Sequence, residues 1–579
     1  MEKKITFAHD GVSAWSIVVD RNADEVVRYS AEQLVRYFYK CTGAVVPYYA
    51  NLCARRGPEI HLGCDCRGDG LDNELPQMQK EGFTIRVREN GILIASPSSR
   101  GVLYGVCTFL EKFFGCRWYT ADVVKTPYNP EVTLPLCEFT ENPAFECRDI
   151  YWRDAFDGVF ASHNKINSGK ADISFKQGGM EKFFNFHHAF LDLVPAGAYF
   201  TAHPEYFSER DGVRTRDQLC LSNPNVVQIA AAQVMRWIEE NPDCNIFSIA
   251  QNDNYGYCTC PECRAFDEAH GDTPAASVIR FSNAVAEIVA QKYPHVLLHT
   301  FAYQYSRHAP TGMTVHPNVI VRLCDIECSF PKPLAAYAGD PDCTEAKFLT
   351  DLTDWSALTE HLYIWDYCTN FSHYLLMFPN LASMQENVRL FRDHGVLGIF
   401  TEGNFSHGGG GYMAELQAYV QAKLFWNPDI DLWETVDDFL AGYFGKGAPY
   451  IRRYIDLWQS AVVGCDMHIY DSPASPYITD ERLDESERLF DLASTAAENE
   501  AVRERIERAR LSVTYTKLVR MPLGAPNRDT LIDGFGRLCK KHGLTEISER
   551  AYLDWSLQMM KKSRHNTDRT GKFHVYYRM

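Results

Sequence analysis

The sequence predicts an α/β protein built around a (β/α)8 TIM barrel, preceded by a small α/β domain and followed by a mainly helical C-terminal region. Three observations predict this. From Cys147 onward the chain repeats a short β-rich run, a polar or aromatic loop and a helix, with eight strand signals in about 255 residues, the length and rhythm of such a barrel. The preceding residues, 1–138, hold strands, a hairpin and two helices. After Asn427 the strand signal fades. The expected divisions are therefore 1–138, 139–427 and 428–579.

In the first stretch, Val26, Val27, Leu34, Val35 and Phe38 recur at near-helical spacing and stop at Thr42-Gly43, a helix with its C-terminal glycine. A short strand follows near Ile60-Leu62. Phe83, Ile85 and Val87 alternate before the turn Glu89-Asn90-Gly91, and Ile92-Leu93-Ile94 return after it, which reads as a hairpin. Ser98 or Ser99 then caps a helix that turns Leu103, Val106, Phe109, Leu110 and Phe113 inward and ends at Gly115. A proline-studded connector, residues 126–143, leads on. The candidate barrel strands are Cys147–Tyr151, Lys182–Phe186, Gln218–Leu221, Phe247–Ala250, Leu297–Phe301, Val319–Leu323, His361–Ile364 and Leu397–Phe400. Thr273-Pro274 opens a helix with Val278, Phe281, Val285, Ile288 and Val289 as its inward stripe, and Asn225–Glu239 is another. Beyond the barrel, Leu432, Val436, Phe439 and Leu440 set one apolar helical face, and Val502, Ile506 and Leu511 suggest a second.

Composition narrows the function classes. The 579 residues suffice for roughly three to four domains of about 150 residues, fewer if one is a barrel. No apolar run approaches the roughly 18 residues of a membrane helix, so no membrane partner is expected. The N-terminus lacks the apolar segment of a signal peptide, and nineteen scattered cysteines, an odd count, fit reduced thiols. A cytoplasmic location is the expectation. A net charge of −17 argues against nucleic acid, whose affinity needs clustered Lys and Arg to release counterions. A homo-oligomer is compatible with this composition. Gly408–Gly411 is not a GxxxxGK[ST] loop and no GxSxG elbow occurs, which argues against phosphoryl transfer and serine hydrolysis.

Several stretches, LYGVCTFLEKFFGCRWY (103–119), AHPEYF (202–207), LCLSNPNV (219–226), SIAQNDNYGYCTCPEC (248–263), LHTFAYQYSRHAP (298–310), YIWDY (363–367) and GIFTEGNF (398–405), resemble the DUF4838 family of glycoside-hydrolase-like proteins. More remotely they are similar to α-glucuronidases and family 20 hexosaminidases. The resemblance spans residues from about 80 to 430, in order. It implies an N-terminal domain of the kind that precedes family 20 barrels, then a catalytic TIM barrel with its site at the C-terminal rim. It also implies a carbohydrate substrate. Where the remotely similar barrels carry their general acid, after the fourth strand, this chain has Asp253.

Cleavage of a glycosidic bond needs two carboxyl groups across the sugar ring, about 5 Å apart for retention or about 6.5–9.5 Å for inversion, one of them kept protonated by partial burial. Asp154, Asp253, Asp325, Glu327, Asp366 and Glu402 stand at strand ends. Asp253 is expected as general acid, Asp366 or Glu402 as base or nucleophile, with Glu327 a lesser candidate. For Asp253 the structural alternative is capping of its own loop; for Asp366, a salt bridge to an arginine; for Glu402, hydrogen bonding to sugar hydroxyls. Family 20 enzymes use a paired Asp-Glu with the substrate's acetamido group; Asn252-Asp253 departs from that pattern, so substrate-assisted chemistry is not expected.

Trp152, Tyr303, Tyr305, Trp365, Tyr367 and Phe371 lie at or beyond strand ends, where rings can pack on the apolar faces of sugars. Asn167, His187, His203, Asn252, Tyr303 and His373 are expected to bind hydroxyl groups; for each alone, core packing competes. Cys258, Cys260 and Cys263 have thiolate-site spacing but supply three of the four ligands of structural zinc, the fourth being His270 or a distant cysteine. Without HExxH or a histidine-rich set, no cofactor is required for catalysis. A glycoside hydrolase is thus the expected function. A non-catalytic carbohydrate-binding barrel and a metal-dependent hydrolase stand beside it, and the first would show no two of these carboxyls within about 10 Å across a pocket.

Overall fold

In a computed structural model, residues 3–562 are described. The chain divides into two compact units: residues up to 180 with 369–381 and 403 onward, and residues 181–368 with 382–402.

The first unit opens on a six-stranded sheet in the order Cys137–Glu141, Phe83–Arg88, Gly91–Ala95, Glu59–Gly63, Ser16–Val19, Tyr48–Ala50. The hairpin Phe83–Arg88/Gly91–Ala95 is antiparallel, as its alternation predicts. Helices Glu25–Thr42 and Ser99–Phe114 bury Leu34, Phe38, Leu103, Val106 and Phe109 with Ile60, Ile92 and Ile94 of the sheet. Asp24 caps the first helix by accepting from the amides of Val26 and Val27. For the second, the cap is Ser98, which accepts from Gly101. Gly43 and Gly115 end the two helices at φ 77° and 68°, a left-handed conformation that side chains resist. Trp426, at the end of the helix Ala414–Trp426, joins this core and stacks on Phe83. Residues 432–562 contribute helices Leu432–Phe444, Ala448–Ala461, Asp480–Ala496, Glu500–Arg520, Arg528–Lys541 and Leu553–Lys562. They also include a two-stranded hairpin, Glu546–Ser548 with Ala551–Tyr552.

The second unit contains six parallel strands, each paired with its neighbours in chain order: Phe183–Phe184, Ile246–Ser248, Leu297–Ala302, Val319–Cys324, Leu362–Tyr367 and Gly398–Glu402. Parallel neighbours require crossovers, and helices Pro224–Glu240, Ala275–Ala290, Thr344–Leu358 and Leu381–Asp393 occur between the strands. Val319–Cys324 is buried throughout, so its residues do not alternate between apolar and exposed polar, and even Arg322 is buried. The expected barrel strand Gln218–Leu221 is different. Its residues fall at the end of Val213–Leu219, which pairs antiparallel with Phe207–Arg210. Asp211-Gly212 forms the turn with both φ positive, 50° and 77°, the backbone a two-residue hairpin favours; local turn chemistry overrode the barrel rhythm. No described helix is long and apolar enough to cross a membrane.

Candidate active site

Five of the six parallel strands in the second unit deliver polar side chains at or just beyond their C-terminal ends. On Leu362–Tyr367, period-two alternation puts Ile364 and Asp366 on one face and Tyr363, Trp365 and Tyr367 on the other. Asp325 is the first residue after Val319–Cys324, and its amide donates to the Trp365 carbonyl at 3.3 Å. That register brings the two acids together, and their carboxyl groups share a hydrogen bond. Asp325 is fully buried. Burial first, then the charge of Asp366, pushes its carboxyl well above the ordinary range. Burial lifts Asp366 to about 6, against hydrogen bonds from the Tyr367 amide and Asp325. Two carboxyls in contact resist double ionisation, so the pair retains a proton at neutral pH.

Around this pair, Glu402 accepts from Trp365 Nε1 at 2.9 Å, and its carbonyl accepts from the Cys368 amide. Glu327 takes a long ion pair from Arg307 Nη1, 3.3 Å, while Arg307 Nε is held by Asp351 at 2.8 Å. Asp253 is exposed, and its Oδ1 accepts from the Tyr303 hydroxyl at 3.0 Å and from Gln304 Nε2 at 3.2 Å. Gln304 adopts φ 51°, a left-handed conformation that costs a non-glycine residue about 1 kcal/mol or more. Buried Gln251 fixes this corner by donating to Ser306 Oγ and the Tyr303 carbonyl. Tyr255 lies within electrostatic reach of Glu327, Arg307 and Asp253. Tyr367 is likewise within reach of Tyr303, Glu402 and Asp325, with burial and those neighbours pushing its hydroxyl well up. Asp253, Asp325, Glu327, Asp366 and Glu402 thus converge on one rim.

The model of a domain of unknown function, DUF4838, matches residues 118–456, more than half the chain. The chain belongs to the DUF4838 family. Its fold is similar to that of a family GH115 4-O-methyl-α-glucuronidase with specificity for decorated arabinogalactans, at TM-score 0.58 and 13% identity. That likeness covers 97% of this chain and 80% of the other. It is also similar to a GH138 enzyme targeting pectin rhamnogalacturonan II, at TM-score 0.50 and 10% identity, over 96% and 77% of the two chains. At these identities the likeness is one of fold, a glycosidase-like α/β architecture. No curated protein sequence matches the chain.

Other expected site residues of this DUF4838 chain have different surroundings. His187 is exposed; its neighbour His188 donates from Nδ1 to the Gln251 carbonyl at 2.5 Å, with its ring beside Phe301 and Tyr303. His203 stacks on Tyr206 and contacts Glu205 at 3.0 Å. Asn252 is committed to the hairpin strand Val213–Leu219: its side chain donates to the Asp217 carbonyl at 2.7 Å.

Trp152, Asn167 and His373 belong to the first unit. Trp152 is buried against Gly403 and Gly411, where a Cβ would lie 2.5 and 2.9 Å from its ring; its Nε1 meets no acceptor among the described residues. Asn167 is wholly buried. It donates to both Glu81 carboxylate oxygens and the Glu146 carbonyl, and accepts from the Arg148 amide at 2.9 Å. His373 is buried, with Nδ1 2.6 Å from the Tyr515 hydroxyl. Asp154, also in the first unit, is raised to about 7 by burial and then by Glu415.

Cys258, Cys260 and Cys263 are joined by Cys220, forty residues upstream of Cys260, in a cluster of four buried thiols. His270 instead stacks on Phe266 and contacts that residue's carbonyl at 2.9 Å. The sequence reasoning missed Cys220, although it stands in the stretch LCLSNPNV. It also left Asp325 without a role, although an acid directly after the mainly apolar run Val319–Cys324 marks a strand end.

Proposed function

We propose that this chain is a glycoside hydrolase whose C-terminal strand ends form the active-site rim of a (β/α)8 barrel. One observation carries the reading. The Asp325–Asp366 pair keeps a proton near neutral pH and shares its rim with Asp253, which accepts hydrogen bonds from Tyr303 and Gln304. A protonated and an accepting carboxyl are the two groups glycosidic cleavage requires. We assign proton donation to the Asp325–Asp366 pair, in which the more strongly raised Asp325 holds the proton at neutral pH, rather than to Asp253. Asp253, held in place by the Tyr303 hydroxyl and Gln304 Nε2, is positioned to act as base or nucleophile. Trp365, half-buried, offers an apolar ring, and Glu402, held by Trp365, is placed to accept from a sugar hydroxyl. The likeness to glycosidase folds supports the carbohydrate class, and the GH115 neighbour's specificity puts α-glucuronides first among substrates to try.

The test is a panel of aryl glycosides, α-glucuronide included, with the wild type, Asp253→Asn and Asp366→Asn. Each substitution is expected to lower turnover by about 100-fold or more, the scale of a lost general acid or base, with thermal unfolding still cooperative. Full activity in both variants would sink the assignment. Binding of sugars without turnover in the wild type would favour a non-catalytic carbohydrate-binding barrel.

A further inference from the structure

Outside the carboxylate rim, four cysteines meet where sequence spacing brings only three. One ligand atom from each of Cys220, Cys258, Cys260 and Cys263 can lie within 4.8 Å of all the others, and every one of the four residues is less than a tenth exposed. Cys220 Sγ and Cys260 Sγ stand 3.7 Å apart, too far for a disulfide. A tetrahedron with Zn–S bonds of about 2.3 Å has edges of about 3.8 Å, so this pair already matches one edge. We propose that these four thiolates bind a structural zinc ion.

The surroundings suit thiolates rather than thiols. The Glu209 amide donates to Cys258 Sγ at 3.3 Å, and Arg214 Nη1 lies 3.8 Å from the same sulfur. Ser222 Oγ contacts Cys220, Cys260 and Cys263. Cys260 immediately precedes the helix Pro261–Ala269 and Cys263 lies in its first turn, where the unpaired amides favour negative charge. Donors of this kind orient metal ligands and offset the excess charge of four thiolates on a dication. Zinc with four protein ligands has no open position and takes no part in bond cleavage.

The ion's position gives it a mechanical task. Cys220 follows the strand Val213–Leu219, and that strand carries Gln218. Gln218 accepts from the Asn252 amide at 3.0 Å and donates to the carbonyls of Asn252 and Asn254. The Asp217 carbonyl accepts from both asparagine side chains. On the far side, Thr259 donates twice to the Glu209 carbonyl of the hairpin. The loop bearing Asp253 is therefore anchored to one hairpin at both ends, and zinc closes the second anchor.

Purified protein handled under reducing conditions is expected to hold one zinc per chain by elemental analysis. Titration of the wild type with a mercurial should release that zinc as the cluster thiols react, after the exposed Cys53 and Cys64, and the melting temperature should fall with it. Cys260→Ser and Cys263→Ser should each bind less than a fifth of the wild-type zinc, while Cys244→Ser, outside the cluster, should keep it all. Absence of zinc after reconstitution, iron in its place, a disulfide within the cluster, or full zinc retention in both cluster variants would overturn the proposal. If those two variants fail to fold, the mercurial titration decides alone. None of these readouts depends on glycoside hydrolysis.

Discussion

Burial lifts the carboxyl of Asp366 to about 6 and, with the Asp366 charge, lifts Asp325 further, so the pair couples chemistry to stability. A carboxyl raised in the folded state contributes stability that is fully present below its unfolded value, near 3.9, and is lost as pH rises through the folded value. For Asp366 that window runs from about 4 to 6. Asp366→Asn removes the ionisation, so at pH 8 the variant is expected to be more stable than the wild type by ~1–2 kcal/mol, with little difference at pH 4. Denaturant unfolding at the two pH values measures this. A variant that is less active and more stable fits an active-site acid; equal stability losses at both pH values would point to a packing role instead.

At the scale of elements, the hairpin Phe207–Arg210/Val213–Leu219 supports the rim without belonging to the parallel sheet. Gln218 is buried and serves one amide and two carbonyls of the Asp253 loop. Gln218→Ala leaves those groups without their partner, at a cost of about 1–3 kcal/mol. The expected signature is faster hydrogen exchange at Asn252–Asn254 and lower kcat, with the exchange of Val319–Cys324 unchanged. Unaltered exchange in the loop would show that the side chain does not hold it. The same hairpin explains why eight strand signals were read where one belongs to another pairing: Gln218–Leu221 has strand propensity, but the Asp211-Gly212 turn selects an antiparallel partner next to it.

At the scale of the whole molecule, the first unit draws on three separated stretches of chain and buries charge within the first of them. Arg148 is 1% exposed and donates to Glu81 and to the carbonyls of Phe145 and Lys165; Arg100 reaches the other Glu81 oxygen. Burial alone would raise the Glu81 carboxyl, but Arg148 and Arg100 outweigh it and hold it at about 2. A depressed carboxyl contributes stability above its unfolded value, near 4.3, and loses it as pH falls toward 2, the opposite sign to Asp366. Arg148→Ala strands a buried carboxylate and is expected to cost ~3–5 kcal/mol at pH 7, and less at pH 3, where Glu81 can protonate. Thermal unfolding of the variant across that range checks it.

What the sequence determined by itself is what depends on neighbours in the chain. Helix caps at Asp24 and Ser98, left-handed stops at Gly43 and Gly115, the hairpin after Val87, and acids at or just beyond strand ends all follow from local period and backbone preference. Those acids included Asp253, Asp366 and Glu402. Tertiary structure decided which of them meet. Asp325 faces Asp366 because Cys324 is in register with Trp365, and Cys220 completes the thiol cluster because a hairpin returns it to Cys260. It also committed Asn167 to Glu81 and Arg148, and His373 to Tyr515, through contacts far apart in the chain. Propensity acts over a few residues, whereas carboxyl ionisation and ligand geometry depend on distances of a few ångströms between remote positions, which strand register and packing alone fix.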